Sequence, residues 1–477
     1  MTNTRRETDS LGSVEIDADR YWGPQTERAR RLFQIGTERF PPALIHAFGW
    51  QKLAAAEANR ELGELAPALA APIAAAAREM AEGRFDADFP LPVWQTGSGT
   101  QTNMNANEVI AHRANELLDP KGSLGRGARA PVHPNDHVNR GQSSNDSFPT
   151  VMHIAAVQAA EALIGQLGTL HAALAARAAA WAEIVKLGRT HMMDAVPVTL
   201  GQEAGAWAAQ VALGIERLRA VMPRLLALPQ GGTAVGTGLN RHPDFDRVFC
   251  ARIAALTGLA FVPNPNKFEG MGAHDALVEL SGMLNVIAVS LTKLGNDIRL
   301  LGSGPRGAIG ELVVPEDGLS SSIMPGKTNP TQCEALTMVC AQVMGNHVTV
   351  TIAGAQSFLE LNVFKPVIIH NVLQSCRLLG DAAASFAVNM VAKLEPDRAR
   401  VALHLANSLM LVTALNPHIG YDRAVAIGKL ALHRNITLKQ AGVELGFVTE
   451  AEFDRWVRPE AMIAPGASEG GGGEGGG

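Results

Sequence analysis

Five segments crowded with small polar residues supply most of the side chains that could do chemistry. They contain hydroxyls, amides and glycines where the rest of the chain has long apolar patterns: TGSGTQTNMN (96–105), HPNDHVNRGQSSND (133–146), GRTHMMD (188–194), GGTAVGTGLN (231–240) and GLSSSIMPGKTNP (318–330). Any one of them alone is typical of an ordinary loop. Together their hydroxyls, amides and glycine-exposed N–H groups are suited to hold carboxylate oxygens, especially where a loop opens a helix. We therefore expect the chain to bind small anions.

The fifth segment is the most specific of these. A run of serines lies beside a glycine turn, Lys327 follows a sharp Pro-Gly break, and the helical pattern that starts after Asn329-Pro330 carries Glu334. A run of serines is more often a solvated linker, but a linker has no need of the apolar Ile323-Met324 in its middle. A serine that acts as a base must be an alkoxide, which requires N–H donors and a nearby cation to lower its pKa. This segment contains both.

His191 is the candidate for activating water. A single histidine in a loop is more often a structural hydrogen-bonding group than a catalytic one. If Glu334 approaches it, the pair becomes a carboxylate that orients an imidazole, an arrangement that can activate water. The sequence alone does not place the two side chains together.

Two kinds of site are excluded by their missing patterns. The glycines of 231–240 follow no strand pattern, do not fall in G-x-G-x-x-G order and precede no G-K-[ST], which argues against a nucleotide site. No H-E-x-x-H is present among the 14 histidines, and the four cysteines have no C-x-x-C spacing. Neither a bound metal nor a disulfide framework is therefore predicted.

Composition sets the broad class and the compartment. The 477 residues include 47% apolar and 18% charged residues, with a net charge of −5, so a globular protein without a nucleic-acid or polybasic surface is expected. No uninterrupted apolar run reaches the roughly 18 residues of a membrane span. The first ten residues, MTNTRRETDS, lack the apolar segment of a secretory signal. Unpaired cysteines in a reducing environment agree with a cytoplasmic location.

Helical periodicity dominates wherever the chain is long and regular. Five patterns predict long helices, around 163–174, 207–222, 277–294, 331–350 and 367–386, and the third is apolar on every face, which favours burial in an oligomer core. We therefore predict an all-α fold. Its expected domains are a mainly helical part (1–140), a central bundle of five long helices (141–394), a small helical part (395–462) and a flexible Gly-rich tail (463–477).

The run GKTNPTQCEALTMVC (326–340) resembles the signature of the fumarase/aspartase superfamily, and its Thr-Gln-Cys-Glu-Ala portion resembles the class II fumarases in particular. The likeness extends from about Val14 to about Met462 and includes all five polar segments. It implies a three-domain, all-α homotetramer with a twenty-helix core and active sites shared by three subunits. It also implies reversible anti hydration of fumarate to (S)-malate through an aci-carboxylate, as in the tricarboxylic acid cycle, without metal or cofactor.

The resemblance also implies roles for individual residues. Ser321 would be the base that removes the proton from C3 of malate, and His191, backed by Glu334, would activate water or protonate the leaving hydroxyl. The groups that would hold the substrate carboxylates are Ser98, Gly99, Thr100, Ser143, Ser144, Asn145, Thr190, Ser322, Lys327 and Asn329. His133, Asn135 and Asp136 match a second, non-catalytic dicarboxylate site.

The chain departs from the family pattern in two places. The usual glycine before the two serines is Ser320, and the preceding Glu-Pro is replaced by Gly318-Leu319, which is expected to affect closure of this loop. A basic residue usual three positions before His133 is Ala130 here, with Arg129 next to it. Both changes leave the assigned side chains themselves in place.

Two alternatives to fumarate hydration stay open on the sequence. One is a related lyase acting on an amino- or methyl-substituted succinate; His191 argues against an aspartase, because aspartases carry Gln at this position. The other is a catalytically inactive helical tetramer that binds dicarboxylates through the second site. Assays with different substrates distinguish the three.

Overall fold

The structure is a computed structural model that describes residues 3–318, 323–324 and 326–465. Its α-helices, in chain order, are α1 (Pro24–Leu32), α2 (Pro42–Glu61), α3 (Pro67–Ala81), α4 (Thr100–Leu118), α5 (Ser144–Ala180), α6 (Leu200–Leu225), α7 (Phe245–Thr257), α8 (Lys267–Gly272), α9 (Asp275–Leu301), α10 (Thr331–Ala355), α11 (Lys365–Asn389), α12 (Arg398–Ala406), α13 (Asn416–Ile419), α14 (Tyr421–Arg434), α15 (Leu438–Glu444) and α16 (Glu450–Trp456). The prediction of an all-α fold is confirmed.

The strands of the described residues form five two-stranded sheets. They are β1 (Thr4–Asp9) with β2 (Gly12–Asp17), β3 (Val185–Thr190) with β4 (Met193–Thr199), β5 (Ala227–Leu228) with β6 (Val262–Pro263), β7 (Leu312–Val313) with β10 (Glu395–Pro396), and β8 (Ser357–Phe358) with β9 (Leu361–Asn362). Only β5 and β6 pair in parallel. The helices therefore carry the fold, and the sheets connect or support them.

The chain divides into two compact units, each assembled from three segments. Unit 1 comprises Met1–Gly165, Gly214–Val289 and Val339–Asp381, and unit 2 comprises Gln166–Leu213, Ser290–Met338 and Ala382–Gly477. The three-domain division stays a prediction. Residues 466–477 of the predicted tail lie outside the described residues.

Unit 1 is built on α2, which packs against α3, α4 and α7. Its core includes Phe48 and Phe148, both fully buried, whose ring centroids lie 5.9 Å apart with the rings nearly edge to face. Such aromatic pairs combine a large buried area with a favourable electrostatic geometry. Phe148 belongs to the first turns of α5, so the same packing fixes the start of the helix that follows the predicted substrate-binding serines.

Unit 2 contains the β3–β4 hairpin, which packs against α12, and a small C-terminal core. The buried residues of that core are Leu411, Leu415, Ala424, Ile427, Ala431, Leu438, Ala441 and Val448. The helices α15 and α16 each begin with a complete capping box, at Thr437 with Gln440 and at Thr449 with Glu452. Each box satisfies N–H groups that a helix start otherwise leaves without partners.

All five predicted long helices are present, as α5, α6, α9, α10 and α11, and each extends beyond its predicted range. On α9 the predicted row from Leu277 to Leu294 is buried, whereas Val289 on another face is 54% exposed. Burial on all sides is therefore not reached within one chain. On α10, Met338, Val348 and Ile352 are likewise more than half exposed.

Three of these helices, α5, α9 and α10, are long and apolar enough to cross a membrane by length and composition alone. No such helix was predicted from the sequence, because none of the three contains an uninterrupted apolar run of this length. The four cysteines form no disulfide and are buried, as predicted. Burial raises the pKa of the Cys250, Cys333 and Cys376 thiols to about 12, so these thiols are protonated at neutral pH.

Candidate active site

The first two polar segments meet in unit 1 and form one group of donors. The Ser98 and Thr100 hydroxyls are 2.7 Å apart at the start of α4, and the Asn103 amide, three residues further on that helix, donates to the Ser144 hydroxyl at 2.9 Å. Residues three apart lie on the same helix face. Ser98, Thr100 and Ser144 were predicted from the sequence, whereas Asn103, which is fully buried and links the two segments, was not.

Gly99 shapes the turn before α4 through its backbone conformation. It precedes the first residue of α4 with φ of +74°, a left-handed conformation that side chains disfavour. A Cβ placed on it would lie 2.1 Å from the Phe148 ring. Glycine is therefore required for the turn to approach the core. A helix start leaves its first N–H groups without partners inside the helix, and at α4 the Thr102 N–H donates to the Gln95 side-chain oxygen at 3.2 Å.

Ser143 and Asn145 are held by their own surroundings. The Ser143 hydroxyl accepts from the Asn145 N–H at 3.2 Å, and the Asn145 amide donates to the Ala234 carbonyl at 2.8 Å, in the fourth polar segment. A cavity of about 540 Å³ is lined by several of these residues. They are Ser143, Ser144, Thr233, Ala234, Asn135 and Asp136. The proposed substrate serines and part of the second site therefore share one concavity of unit 1.

A fully buried lysine supports the turn that precedes Ser143. Lys52 of α2 donates to the Gln142 side-chain carbonyl at 2.9 Å and to the Asn139 side-chain carbonyl at 3.1 Å. Burial lowers the pKa of the Lys52 ammonium to about 7, although the Asp146 carboxylate acts in the opposite direction. Gln51 donates to the same Gln142 oxygen at 2.9 Å. No sequence motif marked these α2 residues as supports of the site.

The second-site residues lie together at a short π-helix, Pro134–Val138. His133 Nδ1 lies 3.1 Å from the Asp136 carboxylate, and its Nε2 lies 2.9 Å from the Arg129 guanidinium. Arg129 can only donate, so Nε2 carries a lone pair. Burial, together with Arg129 and His137, lowers the pKa of the His133 imidazole. Arg129, next to Ala130, thus places a guanidinium against His133.

Metal binding at this second site has no geometric support. His133 and His137 stand four residues apart, a spacing that can serve a metal, but His137 Nδ1 accepts the backbone N–H of His133 at 2.9 Å. Among the described residues, no group of three His, Cys, Asp or Glu side chains could hold a metal ion. His137 thus has a structural role in the π-helix.

The third polar segment folds as the tip of the β3–β4 hairpin in unit 2. His191 and Met192 form its two-residue turn with φ of +54° and +64°. Both residues adopt left-handed backbone, which is costly for side chains other than glycine and asparagine. Thr190, His191 and Met192 are exposed at this tip. A strained, exposed turn carrying an imidazole is typical of a functional site.

A buried cluster of charges fixes the base of the hairpin. Glu311, with no exposed surface, accepts from Arg189 at 2.8 and 3.1 Å and lies 3.1 Å from Lys186 and 2.9 Å from His404. Burial alone would raise the pKa of this carboxyl, but the Arg189 hydrogen bonds and the Lys186 charge hold it below its usual value. Arg189 directly precedes Thr190, so the cluster positions the tip.

The remaining predicted residues that the structure describes lie around the start of α10. Lys327 is exposed in the single chain, and so is Glu334 in the first turns of α10. Asn329 is half-buried, and its carbonyl accepts the Thr331 N–H at 2.9 Å. Ser320, Ser321 and Ser322 lie outside the described residues.

Another cavity, of about 570 Å³, lies in unit 1 and is lined by His153, Asn264, Glu269 and His274, among others. None of the predicted site residues that the structure describes lines it. Volume alone therefore does not point to the predicted site residues.

Comparison with known proteins agrees with the resemblance. A lyase family model matches residues 12–345, and a model of the fumarase C C-terminus matches residues 411–464. The chain is 58% identical to the class II fumarate hydratase of Methylorubrum extorquens, covering 97% of this chain and 98% of that protein. It is 56% identical to the mitochondrial fumarate hydratase of Homo sapiens, covering 97% of this chain and 90% of that protein.

A solved structure gives the same result for the fold. The class II fumarase from Schistosoma mansoni superposes with a TM-score of 0.93 at 41% identity, over 96% of this chain and 99% of that one. Similarity of this extent covers both family models and all five polar segments. The chain therefore belongs to the class II fumarases of the fumarase/aspartase superfamily.

Proposed function

We propose that this protein catalyses the reversible hydration of fumarate to (S)-malate by anti addition of water. The observation that carries the proposal is the near full-length identity of 56–58% to fumarate hydratases, which spans every polar segment. The hydrogen-bonded group around Ser98, Thr100 and Ser144 supports it, because its uncharged hydroxyls and amide are suited to bind a carboxylate.

Ser321 is the proposed base that removes the C3 proton of malate. Loss of this proton places a second negative charge on the adjacent carboxylate, giving an aci-carboxylate. Fixed donors aimed at that carboxylate stabilise the developing charge more than they stabilise the substrate. Lys327 is the proposed cation that lowers the pKa of the serine and pairs with the substrate.

His191, oriented by Glu334, is the proposed group that activates water for addition and protonates the hydroxyl that leaves in the reverse direction. The remaining donors are proposed to bind the two carboxylates: Ser98, Gly99, Thr100, Ser143, Ser144, Asn145, Thr190, Ser322 and Asn329. Separate groups at the C2 and C3 atoms agree with anti addition, since the proton and the hydroxyl must reach opposite faces of the double bond.

We also propose a homotetramer whose active sites combine residues from three subunits. Apolar side chains on the long helices support it, since Val289, Met338, Val348 and Ile352 are more than half exposed in one chain. The exposed Thr190–His191 tip supports shared active sites, because its side chains are free to reach another copy.

Light scattering after gel filtration should give four times the chain mass. Coexpressed Ser144→Ala and His191→Gln chains should recover activity that neither variant has alone; a monomer, or no recovery, contradicts the proposal.

An absorbance assay tests the function directly. Malate is supplied to the purified protein and the unsaturated product is followed in the ultraviolet, with fumarate consumption as the reverse reaction. Aspartate and citramalate are run in parallel. Absence of fumarate formation across neutral pH overturns the proposal, and ammonia release from aspartate would identify the related lyase instead.

The second site is proposed to bind a dicarboxylate through His133, Asn135, Asp136 and Arg129. Arg129→Ala should weaken fumarate binding at this site about tenfold or more, because it removes the guanidinium that faces the anion. Calorimetric titration of fumarate separates this event from active-site binding. Arg126→Ala, in the same loop but hydrogen-bonded to the Asp19 carbonyl, is the control. Equal effects of the two variants would remove Arg129 from the site.

We propose a cytoplasmic location, because the four buried cysteines form no disulfide, which agrees with a reducing compartment. Fractionation of cells that express the chain with a C-terminal epitope tests it. Recovery in a membrane or periplasmic fraction would contradict the proposal.

A further inference from the structure

One buried carboxylate joins two polar segments of unit 1 that are far apart in the sequence. Asp146 is fully buried, and its Oδ1 accepts the Ser143 N–H at 2.9 Å. Its Oδ2 accepts two further backbone N–H groups, those of Gly231 and Thr233, each at 2.9 Å. All three donors are backbone groups of the polar segments, so the carboxylate replaces the secondary structure that these loops lack.

We propose that Asp146 is a positioning residue that locks the Ser143–Asn145 donors against the Gly231–Thr233 turn and thereby sets substrate affinity. This inference rests on the proposed function, because it takes Ser143, Ser144 and Asn145 as ligands of a substrate carboxylate. Asp146 is fully buried and does not line the cavity, so it acts on the substrate only through the loops.

The turn that Asp146 holds has an unfavourable backbone conformation. Thr233 has φ of +53° and Gly231 has φ of +92°, both in the left-handed region. For a threonine, whose Cβ is branched, this conformation is unfavourable and must be held by its surroundings. The two N–H groups that Asp146 Oδ2 accepts belong to these two residues, which makes the carboxylate the group that holds the turn.

Neighbouring contacts depend on the same turn. The Asn145 amide donates to the Ala234 carbonyl, so a displaced turn would also displace this predicted substrate ligand. On its other side the turn is restrained by Arg241, whose guanidinium donates to the Gly231 carbonyl at 2.7 Å. Asp146 thus lies between the serines and a turn that is anchored elsewhere.

Because the Asp146 carboxyl is buried, its replacement by an amide is a suitable test of its positioning role. The Lys52 ammonium is the cation that acts on Asp146, yet burial raises the pKa of the Asp146 carboxyl to about 6 in spite of Lys52 and the three N–H donors. The ionised group is thus expensive to bury at neutral pH, and an amide of the same shape is cheaper. Asp146→Asn should therefore fold, while one of its two acceptors becomes an NH2 group that faces a backbone N–H.

The expected result of Asp146→Asn is a rise in KM for malate of about tenfold or more, with kcat within about threefold of the wild type. A raised KM with a nearly unchanged kcat is expected when the substitution weakens binding of the substrate and of the transition state equally. A readout independent of activity is hydrogen exchange, in which peptides that contain Gly231 and Thr233 should exchange faster than in the wild type. Asp146→Ser, with a shorter acceptor, serves if the Asn variant is insoluble.

Asp88→Asn is the matched control, since Asp88 is another buried carboxyl of unit 1 that accepts a backbone N–H, that of Tyr21 at 2.9 Å. It should leave KM and exchange at residues 231–233 unchanged. If the wild type converts malate and the Asp146→Asn variant shows unchanged KM and unchanged hydrogen exchange, the positioning role of Asp146 is overturned and the proposed function stands. If the wild type does not convert malate but hydrogen exchange is still faster in Asp146→Asn, the contact made by Asp146 is supported and the proposed function is overturned.

Discussion

Replacing His191 by glutamine should lower kcat for malate dehydration by about 10²- to 10⁴-fold, the usual contribution of a general acid or base. Glutamine keeps the approximate length and the hydrogen-bonding capacity of the side chain but cannot exchange a proton near neutral pH. Because His191 is exposed at a hairpin tip, the fold should be unaffected. Steady-state absorbance measurements, with circular dichroism to check folding, give the result.

We expect this loss of kcat only when the imidazole at the hairpin tip is replaced. His433→Gln, which changes an exposed histidine in the last turn of α14, is the matched control and should leave kcat unchanged. A His191→Gln variant within tenfold of the wild type would contradict the assignment and place water activation on another group.

Isotope exchange separates His191 from Ser321. If Ser321 removes the C3 proton and His191 acts only at the hydroxyl, His191→Gln should still exchange the C3 hydrogen of malate with deuterium oxide faster than it forms fumarate. Ser321→Ala should lose both reactions together. Loss of exchange in His191→Gln would instead assign the C3 proton to the imidazole.

The long helices and the polar segments could be predicted because their signals are local. The row from Leu277 to Leu294 repeats every three or four residues, and this spacing alone identifies the buried face of α9. The hairpin around His191 was predicted only as a loop. Its strands carry the buried Lys186 and the half-buried Arg189, which interrupt the apolar alternation that predicts strands.

The supports of the candidate site were missed for a related physical reason. Asp146 bonds to residues about 85 positions away, and Lys52 to residues about 90 positions away, so no spacing rule connects them. Their value comes from being buried together with hydrogen-bonding partners, and burial of a polar group is decided by tertiary structure. A buried Lys or Asp looks the same in sequence as an exposed one.

Glu311→Ala should lower the free energy of unfolding by about 3–5 kcal/mol, the range for removing one partner of a buried ion pair. Lys186 has almost no exposed side-chain surface, and without Glu311 it keeps one ion-pair partner, the Glu203 carboxylate at 2.8 Å, and the Leu187 carbonyl at 3.1 Å. Arg189 and His404 lose their shared acceptor at the same time. Denaturant unfolding at neutral pH measures the loss. Asp454→Ala, which breaks the exposed Lys439–Asp454 pair, should cost no more than about 1 kcal/mol.

The pH dependence of this loss follows from the lowered pKa of Glu311. A carboxyl whose pKa is lower in the folded state than in the unfolded state stabilises the fold fully above the unfolded value, 4.5 for Glu. The contribution is lost as the pH falls through the lower, folded value, because protonation then removes the charge from the cluster. The stability difference between wild type and Glu311→Ala should therefore be largest near neutral pH and shrink in acid. A difference that is constant from neutral to acidic pH would attribute the loss to packing, and would remove the charge cluster as the element that holds the hairpin of His191.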